Sequence, residues 1–254
     1  MEDVWDSFPC AIGDHAAYIG FNASFSERAN ERSPFKYFAS FRVMFKTQTP
    51  DGLPTDSEFA FLNQLEDDLS ARMQPKHGVQ VGRTTFGGHQ DFAFYTELSD
   101  DQCFALIDSL RNEAQHEISL LHEHDPAFKH YWQALYPTMD DWQVIQDMRV
   151  EQALRDRGDP ITDEREIMHW AKFQSAEARQ EFVTLLPEGV EVQELYEAED
   201  FPDNRFVVRL SHYGLPEHRS LNRTTVRLGR AAREAGGTYD GWETALCTVA
   251  RIDA

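Results

Sequence analysis

The sequence predicts an α+β protein made of two tandem domains, each an antiparallel sheet with its helices on one face. The length of 254 residues suits two domains of about 100–150 residues each. The order strand-helix-strand-strand-helix-strand occurs twice, first from FKYFASFRVMF and again from EREIMHWAKF. This order is typical of ferredoxin-like sandwiches. The boundary is predicted within residues 136–141, which gives domains 1–137 and 138–254.

In the first domain, aromatic and β-branched residues predict strands in HAAYIGFNASF and FKYFASFRVMFK. Helical spacing of apolar residues predicts a helix with an inner face of Leu62, Leu65, Leu69 and Met73. A second helix, with Ser99 as its N-cap, has a predicted inner face of Phe104, Ile107 and Leu110. Strands GVQVGRTTF and HQDFAFYTEL are expected to form a hairpin about Gly87 and Gly88, and EISLLHEHD is the last strand.

The second domain is predicted to open with a helix. Thr138 and Asp141 form a capping-box pattern at its start, and Gly158 is placed to end it. Its predicted inner face is Trp142, Ile145 and Met148. The elements that follow are strand EREIMHWAKF, helix SAEARQEFVTLL, strands VEVQELYEAE and NRFVVRLSHYGL, helix HRSLNRTTVRLGRAAREA and a strand around YDGWETALC.

Charge and cysteine content restrict the class of partner and the compartment. The 44 acidic residues outnumber the 24 Lys and Arg residues, for a formal net charge of −20. This argues against broad binding to nucleic acid or anionic membranes and fits either a basic protein partner or simple solubility. The sequence has neither a long apolar run nor a signal-peptide pattern. Its three cysteines, Cys10, Cys103 and Cys247, lack C-x-x-C spacing, so we expect a reduced, cytoplasmic environment.

The stretch GGTYDGWETALC (residues 236–247) permits two interpretations. In the structural one, Gly236 and Gly237 end a helix, the Asp-Gly pair forms a bulge or turn, and the aromatic residues pack on the core. In the functional one, carboxylates flank an aromatic anchor on a recognition surface for a protein partner. The residues alone favour the structural interpretation. The functional one makes the candidate partner-binding residues Tyr239, Asp240, Trp242 and Glu243.

A stripe of arginines on one predicted helix is the second candidate surface. The spacing of its members is typical of a single helix face: Arg219, Arg223, Arg227 and Arg230. Arg223 and Arg227 are therefore candidate partner-binding residues, suited to a carboxylate-rich or phosphate-bearing partner. The alternative is a solvated face whose charges pair within the chain. The acids available for that pairing are Glu194, Glu197, Glu199 and Asp200.

Evidence for catalysis or metal binding is weak. His122 and His124 would share one strand face, with His116 or His89 as a third ligand, but no second spaced cluster supports such a site. The sequence has no G-x-S-x-G elbow, no P-loop and no G-x-G-x-x-G. No catalytic residue, metal ligand or cofactor is predicted.

Both domains resemble known families. In the second, the resemblance is carried by Gly158-Asp159, Arg165, His169-Trp170, Phe173 and the block at 236–243. These residues resemble the regulator of ribonuclease activity B family, small cytoplasmic proteins that bind endoribonuclease E and inhibit it without being enzymes. The first domain is similar to a bacterial family of unknown function that often precedes this regulator domain. The motifs that carry this second resemblance are IGFN (19–22), G-R-T (82–84), D-F-x-F-Y (91–95) and H-Y-W-x-x-L-Y-P (130–137).

The resemblance implies a cytoplasmic, non-enzymatic regulator that binds a protein and inhibits an RNA-processing endoribonuclease. The partner would be the ribonuclease or its scaffold, without direct contact to nucleic acid or membrane. The alternative is an enzyme, or a small-ligand or metal-binding protein, that uses a cleft between the domains.

Overall fold

The fold is described by a computed structural model for residues 3–30, 32–73, 77–114, 116–199 and 203–247. The chain divides into two compact units, Met1–Tyr136 and Pro137–Ala254. Each unit has one antiparallel sheet and its own helices, so the predicted α+β class is confirmed.

Six strands form the sheet of the first unit, in the order β1-β2-β4-β5-β3-β6. The elements along the chain are β1 (Trp5–Ile12), β2 (His15–Asn22), β3 (Tyr37–Met44), α1 (Asp56–Met73), β4 (Gly78–Phe86), β5 (His89–Thr96), α2 (Asp100–Ala114) and β6 (Ile118–His124). The inner order β4-β5-β3-β6 is that of a ferredoxin-like sheet, and the β1–β2 hairpin extends it at one edge. Strand β1 was not predicted. It contains Pro9, which a sheet tolerates at its edge.

Both helices of the first unit contribute one apolar face to a common core. The four residues predicted for α1 are all buried. In α2, Ile107 and Leu110 are buried as predicted. The prediction that Phe104 faces inward is wrong, because its side chain is 48% exposed. Cys103 takes the inner position, since residues 103, 107 and 110 follow the helical repeat and residue 104 lies one step to the side. Gly87 and Gly88, both at positive φ, make the predicted hairpin turn.

The segment after β6 packs against the first unit through aromatic residues. Tyr131–Leu135 forms a short π-helical turn. The Tyr131 hydroxyl donates to the carbonyl of Asn22 at 2.9 Å, and the Tyr95 hydroxyl donates to Asp125 Oδ2 at 2.7 Å. These buried hydrogen bonds give a structural role to the aromatic residues around the tail H-Y-W-x-x-L-Y-P.

The second unit has a four-stranded sheet in the order β10-β7-β9-β8, which is the ferredoxin-like order without additions. Its elements are α3 (Met139–Asp156), β7 (Arg165–Phe173), α4 (Ala176–Thr184), β8 (Glu191–Glu197), β9 (Phe206–Gly214), α5 (His218–Glu234) and β10 (Thr238–Thr244). The capping box at Thr138 is confirmed, and Gly158 follows α3 at φ 87°. No helix in the described ranges is long and apolar enough to cross a membrane.

Candidate protein-binding surface

Helix α5 packs one face on the sheet of the second unit and leaves arginines on the other. The buried face contains Leu221, Thr225, Leu228, Ala231 and Ala232. The four arginines of the predicted stripe are all exposed. Apolar and basic residues therefore separate around the helix axis as the spacing predicts.

The stripe pairs within the described residues at one arginine, and the acid there is not one of those expected. Arg230 and its neighbour Arg233 each lie 2.6 Å from a carboxylate oxygen of Asp140 on α3. The expected acids have other partners: Glu194 pairs with Arg209 and Glu197 with Arg205. Asp200 lies outside the described residues.

The remaining arginines of the stripe, Arg219, Arg223 and Arg227, make no ion pair with any residue that the structure describes. We call these three residues the arginine surface. It is a solvated basic strip on a chain of net charge −20, so its guanidinium groups are available to carboxylates from outside the chain.

The stretch 236–243 ends α5 and begins β10. Gly236, at φ +72°, ends the helix in the left-handed conformation. The pairing of β10 with β7 shifts between Tyr239 and Gly241, which makes Asp240 the extra residue of a β-bulge. The structural interpretation of the two glycines and the Asp-Gly pair is thus the correct one.

Trp242 does not form an exposed anchor. Its side chain is 7% exposed and packs with Leu154, Ile161, Ile167 and Leu221. The indole Nε1 donates to Asp147 Oδ1 at 2.8 Å. The expected exposed position of Trp242 is therefore corrected: β10 directs the ring toward the helices, where α3 supplies its hydrogen-bond acceptor.

Tyr239 also faces inward and joins a buried polar chain. Its hydroxyl lies 2.7 Å from His169 Nδ1, and His169 Nε2 lies 2.7 Å from His212 Nδ1. Burial lowers the pKa of His169 to about 3, and the neighbouring His212 acts in the same direction. The pKa of the Tyr239 hydroxyl is raised by burial and, secondarily, by the charge of Asp147. These groups remain neutral at physiological pH and fix the ring positions. The expected exposed position of Tyr239 is therefore corrected as well.

Asp240 and Glu243 are exposed, in contrast to the two aromatic residues. Asp240 Oδ2 lies 2.6 Å from Lys172 Nζ on β7. Of the residues predicted to bind a partner, the structure therefore places Arg223, Arg227, Asp240 and Glu243 at the surface and takes Tyr239 and Trp242 into the interior.

Each histidine considered as a metal ligand lies next to a carboxylate, an aromatic ring or a carbonyl oxygen. His116 lies 2.9 Å from Glu58 Oε1 and stacks on Phe61, whereas His122 contacts Asp100 and lies 3.0 Å from the Leu98 carbonyl oxygen. His124 is next to the ring of Tyr37. His89 lies near Asp91. Within the described ranges no group of three or more His, Cys, Asp or Glu residues could hold a metal ion.

Sequence analysis named Asp159 and Arg165 only as part of the resemblance, and it missed both their buried pairing and the buried acids of α3. Asp159 and Arg165 form a buried ion pair at 2.6 Å, and Asp159 also accepts from the backbone N–H groups of Ile161 and Cys247. Asp147 is fully buried, and Glu151 accepts from the His218 backbone N–H at 2.7 Å. Helical spacing places residue 147 on the same face as residues 151 and 154, but an acid on that face is ordinarily assigned to solvent.

Buried residues also carry much of the family resemblance of the second unit. Asp159, Arg165, His169, Phe173 and Trp242 are all buried, and each contributes to the core or to a buried hydrogen bond. These residues therefore have structural roles in this chain, and the arginine surface is not among the residues that carry the resemblance.

Two family models match the chain. Residues 3–136 match a family of unknown function (DUF695), and residues 145–244 match the family described as Regulator of ribonuclease activity B. Both resemblances predicted from the sequence are confirmed. No curated protein is similar enough to the chain to count as a match.

Proposed function

Because the chain belongs to the family of unknown function (DUF695) and its second unit matches the Regulator of ribonuclease activity B family, we propose that it is a cytoplasmic, non-enzymatic regulator. In this proposal the second unit binds a protein, either an RNA-processing endoribonuclease or its scaffold, and inhibits RNA cleavage.

The observation that carries the proposal is the arginine surface on α5. Three exposed guanidinium groups, none of them in an ion pair within the described part of the chain, lie along one helix face of a strongly acidic protein. Arginine binds carboxylates through two parallel hydrogen bonds and is enriched among the residues that dominate interface energies. An acidic segment of the partner would contact the arginine surface. Asp240 and Glu243 would favour a segment that also carries basic residues. Such charges mainly set the association rate and selectivity.

The test is RNA cleavage by purified ribonuclease E with its scaffold region, measured with and without the chain. Three forms are compared: wild type, Arg223→Glu/Arg227→Glu, and Arg32→Glu/Arg157→Glu. The last carries the same change in net charge at two exposed arginines that are not part of α5. Association is measured in parallel by surface plasmon resonance at low salt, since surface charge effects weaken with ionic strength.

Support requires that the wild type and the Arg32/Arg157 variant bind and slow cleavage, while the Arg223/Arg227 variant binds at least tenfold more weakly. Absence of binding by the wild type would rule out this nuclease complex as the partner. Equal binding by all three forms would place the contact away from the arginine surface.

A further inference from the structure

The β1–β2 hairpin extends the first sheet beyond α1 and leaves part of the sheet face uncovered. Ser7 on β1 pairs with Gly20 on β2, and Gly20 pairs with Arg83 on β4. Cross-strand partners share a face, so these three neighbours form a continuous floor. Helix α1 forms the wall beside it. The result is a groove between α1 and the hairpin, entirely within the first unit.

The two ends of this groove differ in chemistry. One end, of about 390 Å³, is largely apolar: its lining includes Tyr18, Leu53, Pro54 and Phe59, with Asp56 as its one acid. The other end, of about 510 Å³, carries four carboxylates, from Asp3, Asp6, Glu66 and Asp67, beside the ring of Trp5. Both ends share the floor of Ser7, Gly20 and Arg83.

A hydrogen-bonded network holds the floor in place. Glu66 accepts from Arg83 Nη1 at 2.5 Å and from Gln80 Nε2 at 2.6 Å, and Gln80 Oε1 accepts from Ser70 at 2.7 Å. A Cβ atom at Gly20 would lie 3.2 Å from Arg83 Cγ, so the arginine lies flat across the glycine. Arg83 is thereby engaged with Glu66, and Arg28 pairs with Asp3 at 2.5 Å, whereas Asp67 is exposed.

The aromatic side chains around the groove are unusually open to solvent. Trp5, Tyr18 and Phe59 are 41%, 40% and 50% exposed, respectively. Aromatic residues of this kind commonly anchor a bound segment, and exposed apolar patches rimmed by polar groups mark interaction sites. From Phe59 to Ser70 the groove follows eleven residues of α1, about 16 Å, which is the length of about five extended residues.

We propose that this groove binds an extended peptide segment with apolar residues at one end and Lys or Arg at the other. The apolar residues pack against Tyr18, Leu53 and Phe59. The basic residues meet the carboxylates of the other end. Glu66 and Asp3 there already pair with Arg83 and Arg28, so the exposed Asp67 is the main carboxylate offered to the peptide. The first unit then supplies a contact for a basic, extended segment of a partner protein, independent of the arginine surface on α5.

The probe is a fluorescein-labelled octapeptide, Phe-Leu-Gly-Ser-Lys-Arg-Lys-Arg, with its reversed sequence and an acidic version ending in Glu-Asp-Glu-Asp. Binding to the full chain is measured by fluorescence anisotropy. The groove variants are Phe59→Ser and Asp67→Lys. Their matched controls on α2 are Phe104→Ser, at an equally exposed phenylalanine, and Asp108→Lys, at an exposed acid with the same charge change.

We expect one of the two basic peptides to bind and the acidic peptide not to bind. Each groove variant should weaken binding about fivefold or more, a loss in the range of a moderate interface contact, while both controls bind as wild type does. If Asp67→Lys and Asp108→Lys weaken peptide binding equally and Phe59→Ser does not weaken it, the peptide is attracted to net charge alone and the proposal is overturned. Absence of binding by both basic peptides would also overturn it.

Discussion

The indole Nε1 of Trp242 donates to Asp147 Oδ1 at 2.8 Å, and this buried hydrogen bond ties β10 to α3. Asp147 also accepts from Gln143 Nε2 at 2.9 Å and from the Thr225 hydroxyl on α5. One carboxylate therefore connects two helices and an edge strand. Three donors compensate for much of the cost of burying it.

Replacement of Trp242 by Phe should lower the free energy of unfolding by about 1–3 kcal/mol, because Asp147 loses a donor in the interior. Trp242→Ala should cost about 3–5 kcal/mol, since a cavity is added to that loss. Urea denaturation measures both values. The control is Tyr213→Ala, at a side chain that is 71% exposed, which should change stability little.

Loss of partner binding in Trp242→Ala would consequently reflect instability of the second unit. If Trp242→Phe is as stable as wild type and yet fails to bind a partner, the buried structural role assigned to this ring is wrong.

Asp147 should also make stability depend on pH. Burial raises the pKa of its carboxyl to about 6 from the ordinary 3.8, against the opposing effect of its three donors. The folded chain then holds a proton that the unfolded chain releases between those values. The contribution of Asp147 is complete below the unfolded value and is lost as pH rises through about 6.

Comparison with Asp147→Asn, which cannot ionise, isolates this effect. Relative to that variant, wild type should lose on the order of 3 kcal/mol of stability as pH rises from below 4 to above 6. Urea denaturation at a series of pH values gives the difference. A difference that does not vary with pH would mean that Asp147 titrates normally.

His169 gives the free energy of unfolding the opposite dependence on pH. Burial lowers its pKa to about 3 from 6.5, so the folded chain binds fewer protons than the unfolded chain between those values. This contribution to stability is complete above the unfolded value and declines as pH falls toward 3, by about 1.4 kcal/mol per pH unit at most.

In the range in which both groups titrate, Asp147 and His169 oppose each other. Loss of stability in acid should therefore be steeper in Asp147→Asn than in wild type. Side-chain ¹H–¹⁵N spectra at pH 5 should show His169 neutral, with one ring proton. A doubly protonated His169 in the folded chain at pH 5 would contradict the lowered pKa.

Elements and topology were predictable where they depend on local patterns. The stripe of Leu62, Leu65 and Leu69 and the turn at Gly87 and Gly88 follow from spacing and from backbone conformation. Strand β1 was missed because Pro9 normally interrupts a strand, and only its edge position makes it acceptable.

The candidate site was only partly predictable, because burial of a polar group depends on partners distant in sequence. Asp147 and Trp242 are 95 residues apart, and nothing local indicates that they meet. The exposure of Arg223 and Arg227 was predictable from helix periodicity, but the pairing of Arg230 with Asp140, 90 residues away, was not.

The two glycines between α5 and β10 should differ in their tolerance of a methyl group. Gly236 has a positive φ but open space at its Cβ position, so Gly236→Ala costs mainly backbone strain, about 1–2 kcal/mol. Gly237 has an ordinary backbone, but a Cβ atom there would overlap the Phe173 ring and lie 2.7 Å from the Lys172 carbonyl oxygen. Phe173 is fully buried against Phe182 and cannot move without disturbing the core. Gly237→Ala should therefore destabilise the second unit more than Gly236→Ala in thermal unfolding. The reverse order would mean that the close approach of Gly237 to β7 is not maintained in solution.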